Sequence, residues 1–181
     1  MHPAFSVIFF TVTSGAGYGL MALLCLFNFL YLGMLFDKNI FLIFSGISAV
    51  LFTMGLISST FHLANPKNAW RAFMRFRTSW LAREGLLAIL FYPTLFLYLL
   101  LIHLDFYKDY FLLMQIYSVF IFFFAILIIY CTGMIYACLK TIPQWNTPWT
   151  PINYITIGIY LGGLIFFALL SFNDFNINPY K

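Results

Sequence analysis

The stretch YFLLMQIYSVFIFFFAILIIYCTGMIYACLK, residues 110–140, decides the fold. It contains no charged side chain before Lys140, and a helix needs only about 20 apolar residues to cross ~30 Å of hydrocarbon. Four other apolar runs have the same character, and the chain of 181 residues is 64% hydrophobic and 8% charged. Because soluble domains carry roughly 25% charged residues, the sequence predicts an all-α, polytopic transmembrane bundle with five spans.

Charged and proline-rich connectors separate the apolar runs. Asp37 and Lys38 follow the first run, both signs of charge occur within 103–110, and three prolines lie within 141–151, where they oppose helix formation. Short connectors favour antiparallel neighbours in one bundle. We therefore expect a single membrane-anchor domain over residues 1–181, with spans at about 3–36, 40–64, 79–103, 110–140 and 153–172.

Two glycine pairs support a compact bundle. Gly15 and Gly19 are four residues apart in the first run, and Gly158 and Gly162 repeat this spacing in the fifth. Small residues at this spacing let helix backbones pack tightly in lipid.

The segment FHLANPKNAWRAFMRFRTSWLAREG, residues 61–85, collects most of the polar chemistry. It holds the only glutamate, one of the three histidines and more than half of the nine cations. Its pattern of cations on one face and aromatic side chains on another predicts an amphipathic interfacial helix at about 66–77. The residues expected to contact the membrane interface or dock a partner are Lys67, Trp70, Arg71, Arg75 and Arg77.

His62 and Glu84 flank this segment, so antiparallel spans place both at the same membrane edge. Histidine accepts a proton near neutral pH, and a carboxylate can accept a second one. An oxidised quinol releases two protons, which makes a quinol-binding pair one interpretation. The alternative is structural: His62 bonds a backbone carbonyl, and Glu84 pairs with Arg83 or an interface arginine, or complements a helix N-terminus. Cysteine and histidine spacing predicts no haem, no iron–sulfur cluster and no other metal site on this chain.

Three segments, HPAFSVIFFT (2–11), STFHLANPKNAWRAF (59–73) and TSWLAREG (78–85), resemble the membrane-anchor (C) subunit family of dimethyl sulfoxide reductase-type molybdoenzymes. The same segments also resemble the similar anchor of membrane-bound sulfite-oxidising enzymes. It implies a non-catalytic electron-transfer subunit that binds quinone or quinol (menaquinone or ubiquinone) as a substrate. The implied partners are a four-cluster, ferredoxin-like iron–sulfur subunit, a molybdopterin catalytic subunit and the lipid bilayer, with no nucleic acid. The family's quinol-binding histidine and glutamate match His62 and Glu84.

Two departures from the family leave alternatives open. Family members usually have eight spans where this sequence predicts five, as in a fragment or a shortened form. In a bacterial inner membrane, the cations of the Lys67–Arg83 segment favour a cytoplasmic position, whereas the dimethyl sulfoxide reductases of this family place their catalytic subunits in the periplasm. Other functional interpretations are a purely structural docking anchor and, with less support, a small transporter, for which the spans lack a charged path.

Overall fold

The computed structural model describes residues 5–30, 37–60 and 74–172. Over these residues it contains five long helices and no strand, which confirms the predicted all-α bundle of five spans. Each helix has 23–27 residues, enough to cross a membrane. The helices are α1 (Phe5–Leu30), α2 (Lys38–Thr60), α3 (Trp80–His103), α4 (Phe111–Ala137) and α5 (Trp149–Phe172), with a short 3₁₀ helix at Phe106–Lys108.

Helix α1 lies at the centre of the bundle. In its most apolar window 56% of the residues are buried, against 17–33% for the other four helices. It packs against α2, α5 and α4, while α4 also packs against α3 and α5. Consecutive helices are therefore neighbours, as expected, except that α2 and α3 have little close backbone contact. These two helices meet through side chains, including those of Thr53 and Tyr92, whose hydroxyl oxygens lie 2.8 Å apart.

The glycine pairs explain how α1 and α5 pack closely against each other. A Cβ atom added at Gly19 would stand closer than 3.0 Å to backbone atoms of Gly158, and one at Gly162 would do the same to Gly19 and Leu20. Only hydrogen atoms fit between these backbones, so the prediction of tight packing from the spacing is correct.

The helices alternate in direction, which defines two ends of the bundle. At one end the Lys38 ammonium bonds the Asp105 carboxylate at 2.8 Å, and this hydrogen bond holds the pKa of Asp105 below its usual range. At the other end the Ser58 hydroxyl donates to the Ser6 carbonyl at 2.9 Å, which joins the end of α2 to the start of α1. We call this second end the Glu84 end, because α3 begins there.

Local chemistry sets the helix boundaries at the Glu84 end. Ser79 is the N-cap of α3, with its hydroxyl accepting from the Ala82 amide at 3.4 Å. Helix α5 begins at Trp149, earlier than the expected 153, because Pro151 lies in the first turn, where its missing N–H is not needed. Of the interfacial helix expected at 66–77, residues 66–73 lie outside the described residues, and Met74–Thr78 form a turn.

Candidate functional site

Glu84 is a buried carboxylate inside the apolar bundle. It lies in the second turn of α3 and is only 4% exposed. Its Oε1 accepts a hydrogen bond from the Thr132 hydroxyl of α4, which is itself buried. Burying a carboxylate without partners is expensive, so this hydrogen bond is the main feature that accommodates Glu84 between α3 and α4.

Thr132 suits either protonation state of Glu84. Its Oγ1 also lies 3.1 Å from the carbonyl of Ile128, one turn earlier in α4. A hydroxyl has one proton to donate but can also accept. When Glu84 is ionised, Thr132 donates to it; when Glu84 is protonated, the carboxyl donates to Thr132, which turns its own proton to Ile128. The pair can therefore exchange a proton without leaving a buried polar atom unpaired.

Arg83 does not pair with Glu84. Its Nε donates to the Phe76 carbonyl at 3.0 Å and its Nη2 to the Arg77 carbonyl at 2.7 Å, while the guanidinium lies 4.1 Å from the centre of the Trp80 ring. Within the described part of the chain the ion pairs involve Asp105 and not Glu84. The structural alternative of an Arg83–Glu84 pair is thus not what the described residues show.

A cavity of about 220 Å³ lies between α1, α4 and α5, and Thr132 is one of its lining residues. Its lining is mainly apolar, with hydroxyl groups at a few points, among them Thr132. The lining residues are Thr11, Val12, Ser14, Gly15, Tyr18, Ile129, Thr132, Tyr154, Ile157, Gly158 and Leu161.

Tyr18 is one of the residues that line this cavity. The residue is 2% exposed, and among the described residues its buried hydroxyl has no hydrogen-bond partner. The ring is held by Phe52, stacked at 4.8 Å, and by Phe91, edge-on at 5.4 Å. The Tyr18 hydroxyl is therefore a buried polar group enclosed by aromatic rings.

A second cavity of about 450 Å³ adjoins the first toward the Glu84 end. The two cavities share Thr11 and Tyr154 in their linings. Tyr136, Trp145 and Thr150 line the outer part, near the end of α4 and the start of α5. The second cavity is therefore next to the first and lies nearer to the edge of the bundle.

The described residues bring together only part of the site predicted from the sequence. Glu84 is placed in the bundle, and Arg75 and Arg77 lie exposed in the turn before α3. The remaining predicted site residues, His62, Lys67, Trp70 and Arg71, lie outside the described residues. The hydrogen bond of Glu84 leads to α4, because Glu84 lies on the α3 face that packs against that helix. Its predicted pairing with His62 involves a residue outside the described ones.

The sequence did not reveal the contact of Thr132 with Glu84 or the burial of Tyr18. Thr132 stands in an apolar run where a single hydroxyl usually bonds its own helix, and Tyr18 lies in the glycine-rich part of α1. The only available signal was polarity inside a span, which is a functional hint but a weak one for hydroxyl groups.

Comparison with known proteins supports the resemblance seen in the sequence. The family model described as DMSO reductase anchor subunit (DmsC) matches residues 1–179. The C subunit of sulfite dehydrogenase from Allochromatium vinosum is 32% identical over 180 residues, covering 91% of this chain and 54% of that protein. The chain thus spans about half the length of this curated relative. No solved structure matches. Because the family model matches nearly the whole of this chain, the chain belongs to the DMSO reductase anchor subunit family.

Proposed function

We propose that this chain is the quinone-reactive anchor of a molybdopterin oxidoreductase complex in a bacterial inner membrane. It exchanges electrons between the quinone pool and a four-cluster iron–sulfur subunit, which connects to a molybdopterin catalytic subunit. The observation that carries the proposal is the buried Glu84 carboxylate, held by Thr132 beside an intramembrane cavity. An ionisable group that is buried in a membrane bundle and has no ion pair among the described residues is a functional candidate by default.

The chemistry follows from the balance of quinol oxidation. One quinol loses two electrons, which pass to the iron–sulfur subunit, and two protons, which need acceptors at the site. Glu84 accepts one proton and His62 the other, and both then release protons to water at the adjacent membrane edge. Quinone reduction uses the same groups in the opposite direction.

The names of the family and of the relative support the class of complex. One refers to a DMSO reductase and the other to a sulfite dehydrogenase, so the complex belongs to a reductase or to a sulfite-oxidising enzyme. In either case the catalytic subunit carries the terminal substrate, and this chain provides attachment to the membrane and contact with the quinone.

The quinone-linked activity of the assembled complex tests this proposal through His62. His62→Ala should lower turnover with a quinol or quinone substrate by about 100-fold, the lower end of the range of about 10²–10⁴-fold for a proton-transferring side chain. Turnover with a soluble redox dye should stay unchanged, because the dye bypasses the anchor. His103→Ala, at the opposite end of the bundle from Glu84, is the matched control and should keep both activities. Quinone-linked turnover at the parental rate in His62→Ala would count against the site.

Docking of the partner subunits is assigned to the Glu84 end. Arg75 and Arg77 are exposed there, and the concentration of cations around them favours the cytoplasmic side by the distribution of positive charge. An acidic face on the iron–sulfur subunit would complement these cations.

Reversing these charges should release the partners. In the double variant Arg75→Glu, Arg77→Glu, we expect most of the catalytic activity to move from membranes to the soluble fraction after fractionation. Lys108→Glu, exposed at the other end of the bundle, changes the net charge in the same direction and should retain the partners. If the double variant also keeps its partners on the membrane at moderate salt, docking uses another surface.

A further inference from the structure

We infer that Arg83 holds the turn at residues 74–78 in one fixed shape, and that Phe76 of this turn is the apolar anchor with which the chain docks its partner subunit. The inference rests on the proposed function, which assigns docking to the Glu84 end. It adds a positioning residue, an anchor and the kind of surface that the partner presents: an apolar pocket rimmed by carboxylates.

The backbone of the turn is held by hydrogen bonds of helical type. The amide groups of Thr78 and Ser79 both donate to the Arg75 carbonyl, each at 3.0 Å. Ser79 is also the N-cap of α3, so the turn leads directly into that helix. The shape of the turn is therefore continuous with the start of α3.

Arg83 binds the next two carbonyl groups of the turn. Its Nε and Nη2 donate to the Phe76 and Arg77 carbonyls at 3.0 and 2.7 Å, and its guanidinium lies 4.1 Å from the centre of the Trp80 ring. The Trp80 ring contacts Tyr130 of α4 edge-on, with the ring centroids 5.9 Å apart. A planar guanidinium can bond two acceptors and stack on a ring at the same time, which a lysine ammonium cannot do. Arg83 thus ties the turn to α3 and, through Trp80, to α4.

The side chains of the turn are exposed and alternate in character. Met74 is 76% exposed and Phe76 40%, and Arg75 and Arg77 are exposed as well. Successive side chains of a helical turn project about 100° apart, so apolar and cationic groups alternate around it. A helix that lies on a membrane keeps its apolar side chains on one face. The mixed arrangement fits a protein interface instead, where aromatic residues, Met and Arg are enriched.

The charges of the turn define the rim of the partner's pocket. The sequence from Met74 to Arg83 contains no acidic residue. Within the described part of the chain, the side chains of Arg75 and Arg77 form no ion pair. Both guanidinium groups are therefore available to carboxylates that surround an apolar pocket on the partner.

A turn that is already ordered favours tight docking. Ordering a loop on binding costs affinity, and the hydrogen bonds from Arg83 remove that cost. Arg83 also directly precedes Glu84 in α3, so the docked partner is fixed relative to the buried carboxylate. An electron acceptor held in this way stays at a constant distance from the proposed proton acceptor.

The rate at which the partner subunits leave the membrane tests the anchor role of Phe76. After dilution of membranes that contain the complex, dye-linked activity is followed into the soluble fraction. Phe76→Ala should speed this release about tenfold or more, as expected for the loss of an interface hot spot, and it leaves in place the carbonyl that Arg83 binds. Phe172→Ala, which removes an exposed ring at the other end of the bundle, is the matched control and should release at the parental rate.

The exchange Arg83→Lys tests the positioning role, because it preserves the charge. A lysine ammonium cannot reproduce the paired bonds to both carbonyls, so release of the partner should again accelerate. In membranes washed free of the partner subunits, trypsin should cleave after Arg75 and Arg77 about five- to tenfold faster, because the turn opens more often. The melting temperature should stay near the parental value. Lys140→Arg makes the reverse exchange at an exposed position at the same end and should change neither rate.

The outcomes separate this inference from the proposed function. If reversal of the Arg75 and Arg77 charges releases the partners but Phe76→Ala and Arg83→Lys behave as the parent, charge alone holds the partner and the inference is wrong. Quenching of Phe76→Trp fluorescence by brominated phospholipids, beyond that of the parental complex, would place the turn in lipid and would also overturn it. In both cases, loss of quinone-linked turnover in a Glu84 variant would still support the proposed function.

Discussion

Glu84→Gln should abolish quinone-linked turnover and leave the rest of the protein intact. The amide carbonyl still accepts the hydrogen bond from Thr132, so the α3–α4 contact and the fold are preserved. The amide cannot accept a proton, however, and Thr132 then has no group to which it can pass one. We expect kcat with quinol to fall by about 10²–10⁴-fold, the range for general acid–base groups.

The measurement is a comparison of quinone-linked and dye-linked turnover in the purified complex. Dye-linked turnover should remain at the parental level in Glu84→Gln, because the partner subunits are untouched. Asp109→Asn makes the same carboxylate-to-amide change at an exposed position at the other end of the bundle, and it should retain both activities. Comparable quinone-linked rates in the two variants would show that Glu84 has a structural role only.

Gly162→Val should cause a large loss of stability by forcing α1 and α5 apart. A Cβ at this position would stand closer than 3.0 Å to backbone atoms of Gly19 and Leu20, and backbone atoms cannot rotate aside as a side chain can. The two helices must separate, which removes the dispersion contacts that hold them in lipid. Overpacking typically costs about 1–3 kcal/mol, occasionally more, and we expect the upper part of that range for this substitution.

Two glycines with room for a methyl group provide the matched controls. Gly163→Ala would place its Cβ 3.5 Å from the Leu23 Cδ1, an ordinary contact, and Gly46→Ala would meet nothing within 4 Å. Both should retain or slightly raise the melting temperature of the purified protein, since alanine favours helix over glycine. A melting temperature for Gly162→Val equal to those of the controls would mean that α1 and α5 do not pack through these glycines.

The sequence was sufficient for most of the fold and for one residue of the site. Uninterrupted apolar length predicts spanning helices, and the glycine spacing predicted close helix packing but not that α1 and α5 are the two partners. The packing partners of α3 were harder to predict from the sequence. Connector length indicates which helices are consecutive neighbours, but it does not indicate which helix faces pack together. Glu84 stood out as the only glutamate, whereas Thr132 became its partner only when folding brought α4 against α3.

The contact between α1 and α5 has a consequence for how the protein is made. Segments leave the ribosome in order, so α1 enters the bilayer well before α5 is synthesised. During that interval the flat glycine face of α1 is exposed to acyl chains or to whatever insertion machinery accompanies it. The cavity between α1, α4 and α5 forms only once the fifth helix has been inserted.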